Sequence, residues 1–173
     1  MSAPPAHVDP EVAAARYRAK VIAWFRGVLV FVGLLPWALP IARARLPLGD
    51  LGNALDLVFF TMCHRRPART LVLDGVVMPL CSRCSGIFLG IAIAAVIGRP
   101  LISLRAWRWV FAIACALMVT DVVTQDLGLH PVWHPTRILT GVLVGYLMVV
   151  GCLSGLARDK TSAADAKTAP AAP

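Results

Sequence analysis

The chain has 173 residues, of which 58% are hydrophobic and 15% charged, and its mean hydropathy is +0.74. A soluble domain of this size could not bury so much apolar surface, so the composition predicts a protein embedded in a lipid bilayer. The formal net charge is +8. However, the basic residues flank apolar runs and form no basic patch with interleaved aromatic residues, which argues against nucleic acid as a partner.

Four apolar runs have the length expected of transmembrane helices. They lie at roughly 21–41, 80–98, 107–125 and 137–156. A further apolar run at 51–62 is too short to cross the membrane easily. It predicts a re-entrant or interfacial helix, with a short full span as the alternative. The sequence therefore predicts an all-α, polytopic membrane protein with about four transmembrane helices and one short additional helix.

Polar segments flank this predicted membrane domain, which covers residues 21–157. Residues 1–20 contain neither the apolar core nor the cleavage site of a signal peptide, so they are expected to form a polar N-terminal tail. Residues 158–173 are mostly small and polar, which predicts a disordered C-terminal tail.

The positions of the basic residues predict the orientation. Both tails and the segment after the second span are basic, whereas residues 126–136 contain no Lys or Arg. Under the positive-inside rule, this favours a multi-pass protein of the prokaryotic inner or plasma membrane with both termini in the cytoplasm. The segment 43–69 is the exception, since its five arginines would then lie outside.

Small residues recur at four-residue intervals in the second and fourth spans. They are Gly86, Gly90, Ala94 and Gly98 in the second span, and the pairs Gly141/Gly145 and Gly151/Gly155 in the fourth. Such spacing lets helix backbones approach closely within a membrane. We expect the two helices to pack on each other or on a second copy of the chain, which would make a homo-oligomer.

Unusual polar residues gather at the same ends of the predicted spans. Because consecutive spans cross the membrane in opposite directions, these polar residues should all lie at one membrane face. This group comprises Cys63, His64, Arg69, Cys81, Arg83, Cys84, Asp121, Gln125, His130, His134 and Arg137. Ionisable residues within a membrane are costly and suggest a function. We expect Asp121 to pair with Arg137, since a short loop joins their helices; a purely structural ion pair is the alternative.

Thiols and imidazole in this group suggest a metal site. Cys63, His64, Cys81 and Cys84 offer the donor set of a tetrahedral zinc ion. Adjacent residues seldom bind the same ion, so His130 or His134 could replace His64. A c-type haem is disfavoured because no histidine follows the C-x-x-C pair directly.

The same cysteines allow two other interpretations. Cys81 lies at a predicted helix N-terminus near Arg83, which favours its thiolate, so it could attack a disulfide that Cys84 then resolves. Such a thiol oxidoreductase would exchange electrons with a quinone or a partner dithiol. Alternatively, Cys63 forms a structural disulfide with Cys81 or Cys84. Apart from the cysteines, the glycine repeats allow a third function besides metal binding and thiol exchange, that of a non-catalytic assembly or scaffold subunit.

Two blocks of this sequence resemble a family of small, functionally uncharacterised prokaryotic integral membrane proteins. The first block has a C-H pair followed by C-x-R-C-x-G-I, and the second an Asp, Gln and Gly followed by R-x-x-T-G-x-x-x-G. The matching positions are Cys63, His64, Arg69, Cys81, Arg83, Cys84, Gly86 and Ile87, then Asp121, Gln125, Gly128, Arg137, Thr140, Gly141 and Gly145. The resemblance implies a shared site and no particular reaction.

Two positions depart from the family pattern. Arg65 occupies a position where the family often has glutamine, and His134 stands where asparagine is expected. The second departure favours His64 as the fourth metal ligand. Arg69, Arg83, Asp121, Gln125 and Arg137 are then expected to form a polar cluster around the site.

Overall fold

The computed structural model describes residues 10–63, 66–98 and 103–168, with side chains up to residue 155. Five helices and one small hairpin follow in chain order. They are α1 (Pro10–Arg45), α2 (Gly49–Met62), a 3₁₀ turn (Pro67–Arg69), β1 (Thr70–Leu73), β2 (Val76–Cys81), α3 (Ser82–Ile97), α4 (Leu104–Asp126) and α5 (His134–Thr168). The predicted all-α membrane fold is confirmed.

Three helices are long and apolar enough to cross a membrane: α1, α4 and the His134–Gly155 part of α5. The fourth predicted span is the shorter apolar helix α3, which has 16 residues. A helix of that length measures about 24 Å, whereas the hydrocarbon core is ~30 Å thick. Buried Met78 and Leu80 of β2 lengthen the apolar segment ahead of α3. The predicted short helix is α2, which has 14 residues.

Helices α3 and α5 pack closely through their glycines. Gly86 faces the backbone of Ile138, and Gly90 faces that of Val142, so the contacts advance in the same direction along both helices. A methyl group on either glycine, or on Gly145 of α5, would collide with a backbone carbonyl of the other helix. The two helices are therefore parallel, and this contact accounts for these glycines without a second copy of the chain.

Helix α1 runs antiparallel to α3. Near the end of α1, the Trp37 indole donates a hydrogen bond to the Ser85 carbonyl (3.0 Å) at the start of α3. Near the middle of α1, Arg26 donates to the Gly98 carbonyl (2.8 Å) just beyond the end of α3. Arg26 thus satisfies an acceptor that the helix terminus would otherwise leave open.

Helix α4 runs antiparallel to α5. Trp107, early in α4, donates to the Leu147 carbonyl (2.8 Å) well into α5, whereas Gln125, late in α4, meets Arg137 at the start of α5. The ends of α1 and α4 and the beginnings of α3 and α5 therefore lie at the same end of the bundle. The predicted polar residues of these helices therefore lie at one end of the bundle.

A two-stranded antiparallel hairpin precedes α3, and the sequence analysis did not predict it. Leu73 pairs with Val76 across Asp74 and Gly75, whose φ angles of 55° and 78° are positive. Asp-Gly between two apolar segments is the preferred sequence of a type I′ hairpin turn, so residues 70–81 did contain the signal. Thr70 pairs with Cys81 at the open end of the hairpin.

Two helices extend into the segments predicted to be polar or disordered tails. Helix α1 begins at Pro10, and α5 continues to Thr168. Proline is well tolerated in the first turn of a helix. Residues 157–168 are rich in alanine and contain neither glycine nor proline, which allows the helix to continue where the composition suggested disorder.

Candidate metal centre

Three thiols meet where α2, β2 and α3 adjoin. Cys63 follows the last residue of α2, Cys81 ends β2 and precedes α3, and Cys84 lies in the first turn of α3. Their sulfur atoms all lie within 4.8 Å of one another. The backbone N–H of Cys81 also points at the Cys63 sulfur, at 3.4 Å. All five cysteines of the chain are free thiols, so the structure contains neither of the structural disulfides considered above.

The hairpin and an apolar cluster hold Cys63 beside the other two cysteines. The hairpin returns the chain so that Cys81 lies opposite Thr70, close to the segment that follows α2. Phe59 of α2 packs with Leu80 of β2 and Leu39 of α1, and all three side chains are buried. The end of α2 is therefore fixed against the beginning of α3, which brings the thiols together.

The surroundings of Cys81 favour its thiolate. A side-chain hydrogen bond with Cys84 lowers the pKa of the Cys81 thiol to about 4, against the opposing effect of burial. Backbone hydrogen bonds from Cys84 and Arg83, at the N-terminus of α3, act in the same direction as the Cys84 thiol. Cys81 is thus prepared to act as an anionic ligand or as a nucleophile.

The predicted polar cluster forms, but its pairing differs from the prediction. Asp121 of α4 makes an ion pair with Arg83 of α3, and their side chains are only 14% and 11% exposed. Arg137 of α5 donates instead to the Gln125 side chain, at 2.5 Å. The predicted Asp121–Arg137 pair is therefore wrong. Gln125 lies one turn nearer the helix end than Asp121, so it is the residue that meets the first turn of α5.

Arg69 also belongs to this region, because it forms an ion pair with Asp126 at the end of α4. Arg69 is a predicted member of the cluster, whereas its partner Asp126 is not among the predicted residues. The available signal was an acidic residue directly after Gln125, at the same helix end as the predicted cluster. Together, the two ion pairs tie α4 to α3 and to the segment before the hairpin.

The histidines contribute no donor to the three-sulfur group within the described part of the chain. His64 lies outside the described residues. His130 is exposed and shares a hydrogen bond with the Thr124 hydroxyl (2.8 Å). His134 has a buried Nδ1 atom without a hydrogen-bond partner, but it does not belong to the group of converging ligand atoms.

A cleft of about 360 Å³ opens beside the thiols. Its described lining consists of one methionine, three cysteines and four arginines: Met62, Cys63, Cys81, Cys84, Arg66, Arg69, Arg83 and Arg137. Thiols and guanidinium groups therefore face the same space.

Residues 63–150 match the family model described as "Predicted membrane protein (DUF2085)". The chain belongs to the DUF2085 family. The DUF2085 segment begins at Cys63 and contains the three thiols and all five residues of the polar cluster. The match confirms the predicted membership of an uncharacterised membrane-protein family.

Two archaeal proteins are similar to the chain. An uncharacterized protein of Methanocaldococcus jannaschii is 30% identical over 99 residues, which are 55% of this chain and 64% of that protein. An uncharacterized protein of Methanothermobacter thermautotrophicus is 33% identical over 95 residues, which are 53% of this chain and 85% of that protein. No solved structure matches the chain.

Proposed function

We propose that the protein is a membrane metal-binding protein in which Cys63, Cys81 and Cys84 hold a thiophilic divalent ion, with zinc as the first candidate. The convergence of three sulfur atoms from separate elements within 4.8 Å carries this proposal. Zinc–sulfur bonds of about 2.3 Å in a tetrahedral site place sulfur atoms ~3.8 Å apart. Small side-chain rotations would therefore suffice to close the site.

The charges of the site also support a metal ion. Three thiolates in close contact repel one another, and a divalent cation offsets most of that repulsion. The nearby guanidinium groups of Arg83 and Arg137 offset the net negative charge that three thiolates and one divalent ion would leave. Three sulfur ligands leave a fourth position, for which the adjacent His64 remains our predicted ligand. A small molecule from the cleft is the alternative, as in open metal sites.

Metal content and free thiols measured on one detergent-purified sample test the proposal. We expect about one metal ion per chain and three thiols protected from alkylation until a chelator is added. Cys84→Ser should abolish stoichiometric metal binding. Cys152→Ser is the matched control, since Cys152 is exposed on α5 and lies outside the group. A metal-free wild type after reconstitution with zinc, or equal metal in both variants, would contradict the proposal.

The contact between Cys81 and Cys84 supports a second candidate, a thiol–disulfide oxidoreductase. Oxidation of the two thiols to a disulfide would release two electrons and two protons to a quinone or to the oxidised form of a partner dithiol. This function predicts that Cys81 and Cys84 change together between alkylatable and protected states as the redox potential is varied. A pair that stays reduced with every oxidant supplied would rule this candidate out.

The charge distribution supports a cytoplasmic location for both termini in a prokaryotic inner membrane, which places the metal centre at the opposite face. Modification of Cys63 or Cys81 by a membrane-impermeant thiol reagent, in intact and in permeabilised cells, tests this orientation. We expect labelling of the metal-depleted protein from outside the plasma membrane. Labelling only after permeabilisation would reverse the orientation.

A further inference from the structure

The cleft beside the thiols carries more positive charge than its protein partners neutralise. Arginines 66, 69, 83 and 137 line it, and no carboxylate is among its described lining residues. Asp121 and Asp126 neutralise two of the four arginines from positions outside that lining. A three-thiolate centre with a divalent ion would carry one negative charge, so the cleft stays positive even when a metal is bound.

Arg137 is the most unusual of these residues. It is 1% exposed, yet its acceptor is the neutral amide oxygen of Gln125, and its Nε atom has no hydrogen-bond partner. Cys81 lines the same cleft as Arg137, and a thiolate there that also binds a metal could compensate this charge only in part. A buried cation without a full counter-charge is costly, which points to an absent anionic partner.

Arg83 presents a second unused donor. It is 9% exposed and lines the same cleft, and its Nε atom also lacks a partner although its Nη2 atom is paired with Asp121. The ion pair with Asp121 fixes the Nη2 side of the guanidinium and leaves the Nε donor without an acceptor. Buried donors without partners are rare in folded proteins, so two in one cleft suggest a bound acceptor.

We propose that this cleft binds a small oxyanion of the phosphate type, held by Arg83 and Arg137 beside the thiols, with exposed Arg66 at the entrance. Arginine forks match the oxygens of phosphate groups, and the N-terminus of α3 adds a favourable dipole. The phosphate can be a free anion or the headgroup of an anionic lipid, since the cleft lies at a membrane face. The inference does not depend on the metal centre.

Titration of the chelator-treated, reduced full-length protein with inorganic phosphate tests the proposal independently of metal binding. The protein is placed in phosphatidylcholine nanodiscs, ionic strength is held constant with chloride, and binding is followed by calorimetry. We expect saturable binding that Arg83→Gln weakens about tenfold, the effect of one lost charge-assisted hydrogen bond. Arg45→Gln is the matched control, because Arg45 is an exposed arginine near the same end of the bundle and outside the cleft.

Arg66→Gln keeps the test decisive if Arg83→Gln does not fold, since Arg66 is exposed and contributes little to packing. It should weaken binding several-fold, whereas Arg45→Gln should leave it unchanged. The absence of saturable phosphate binding, or equal affinities of Arg66→Gln and wild type, would overturn the proposal. Repeating the titrations of wild type and Arg66→Gln in phosphatidylglycerol nanodiscs identifies the source. Loss of the difference between the two proteins there assigns the cleft to the lipid headgroup, and an unchanged difference assigns it to the free anion.

Discussion

Replacement of Gly145 by alanine tests the close packing of α3 on α5. A β-carbon at this position would collide with the Ile87 carbonyl, whereas one at Gly155 of the same helix would meet nothing within 4 Å. Overpacking costs typically ~1–3 kcal/mol of unfolding free energy. Replacing glycine with alanine within a helix contributes roughly 0.8–1.0 kcal/mol in the opposite direction. Because this propensity gain is common to both variants, their difference isolates the collision.

We expect Gly145→Ala to unfold with a free energy ~1–3 kcal/mol below that of Gly155→Ala. Reversible unfolding by dodecyl sulfate in mixed micelles, followed by tryptophan fluorescence and circular dichroism, measures that difference. Gly155→Ala should be as stable as wild type or slightly more stable. Equal stabilities for the two variants would show that α3 and α5 do not approach each other at Gly145, and the parallel helix pair would then be incorrect.

Two further predictions concern the site itself. In a double-mutant cycle on the unfolding free energy, Asp121→Asn and Arg83→Gln should show a coupling energy of roughly 1 kcal/mol or more, near the upper end of the values for polar contacts within membranes. Additive effects of the two substitutions would mean that the buried ion pair contributes nothing to stability. Because its pKa is lowered to about 4, Cys81 of the metal-free protein should be alkylated at nearly the same rate at pH 8 and pH 6. A free thiol compound in the same buffer is the reference, because an ordinary thiol loses reactivity about tenfold per pH unit below its pKa. Parallel pH profiles for Cys81 and this compound would contradict the depressed pKa.

The sequence was sufficient to assemble the site at one end of the bundle. Apolar runs define the spans, and alternation of consecutive spans decides which helix ends lie together. Cys63, Cys81 and Cys84 are adjacent to such ends, so the sequence alone predicts that they lie together. It also groups Asp121 with Arg137, although each has a different partner in the structure.

The partners of Asp121 and Arg137 could not be predicted, because a sequence indicates where a helix ends better than how the helix is rotated about its axis. Asp121 and Gln125 lie one turn apart on the same face of α4, so both were available to Arg137. Which of them meets α5 depends on how deeply α4 sits relative to α3. The hairpin is absent from the prediction for another reason: its strands of four and six residues are short beside the apolar helices, and only Asp-Gly at 74–75 indicates the tight turn.

The three thiols lie on two parts of the molecule that differ in how tightly they are packed. Cys81 directly precedes α3 and Cys84 lies in its first turn, and α3 packs tightly against α5. Cys63 instead follows α2, a helix whose Leu57 and Phe60 are exposed. An ion pair between Arg43 and Asp56 (2.6 Å) holds α2 to α1. A ligand that draws the three sulfur atoms together would therefore also restrain α2. Occupancy of the thiol site and the position of α2 would then be mechanically coupled, so each could report on the other.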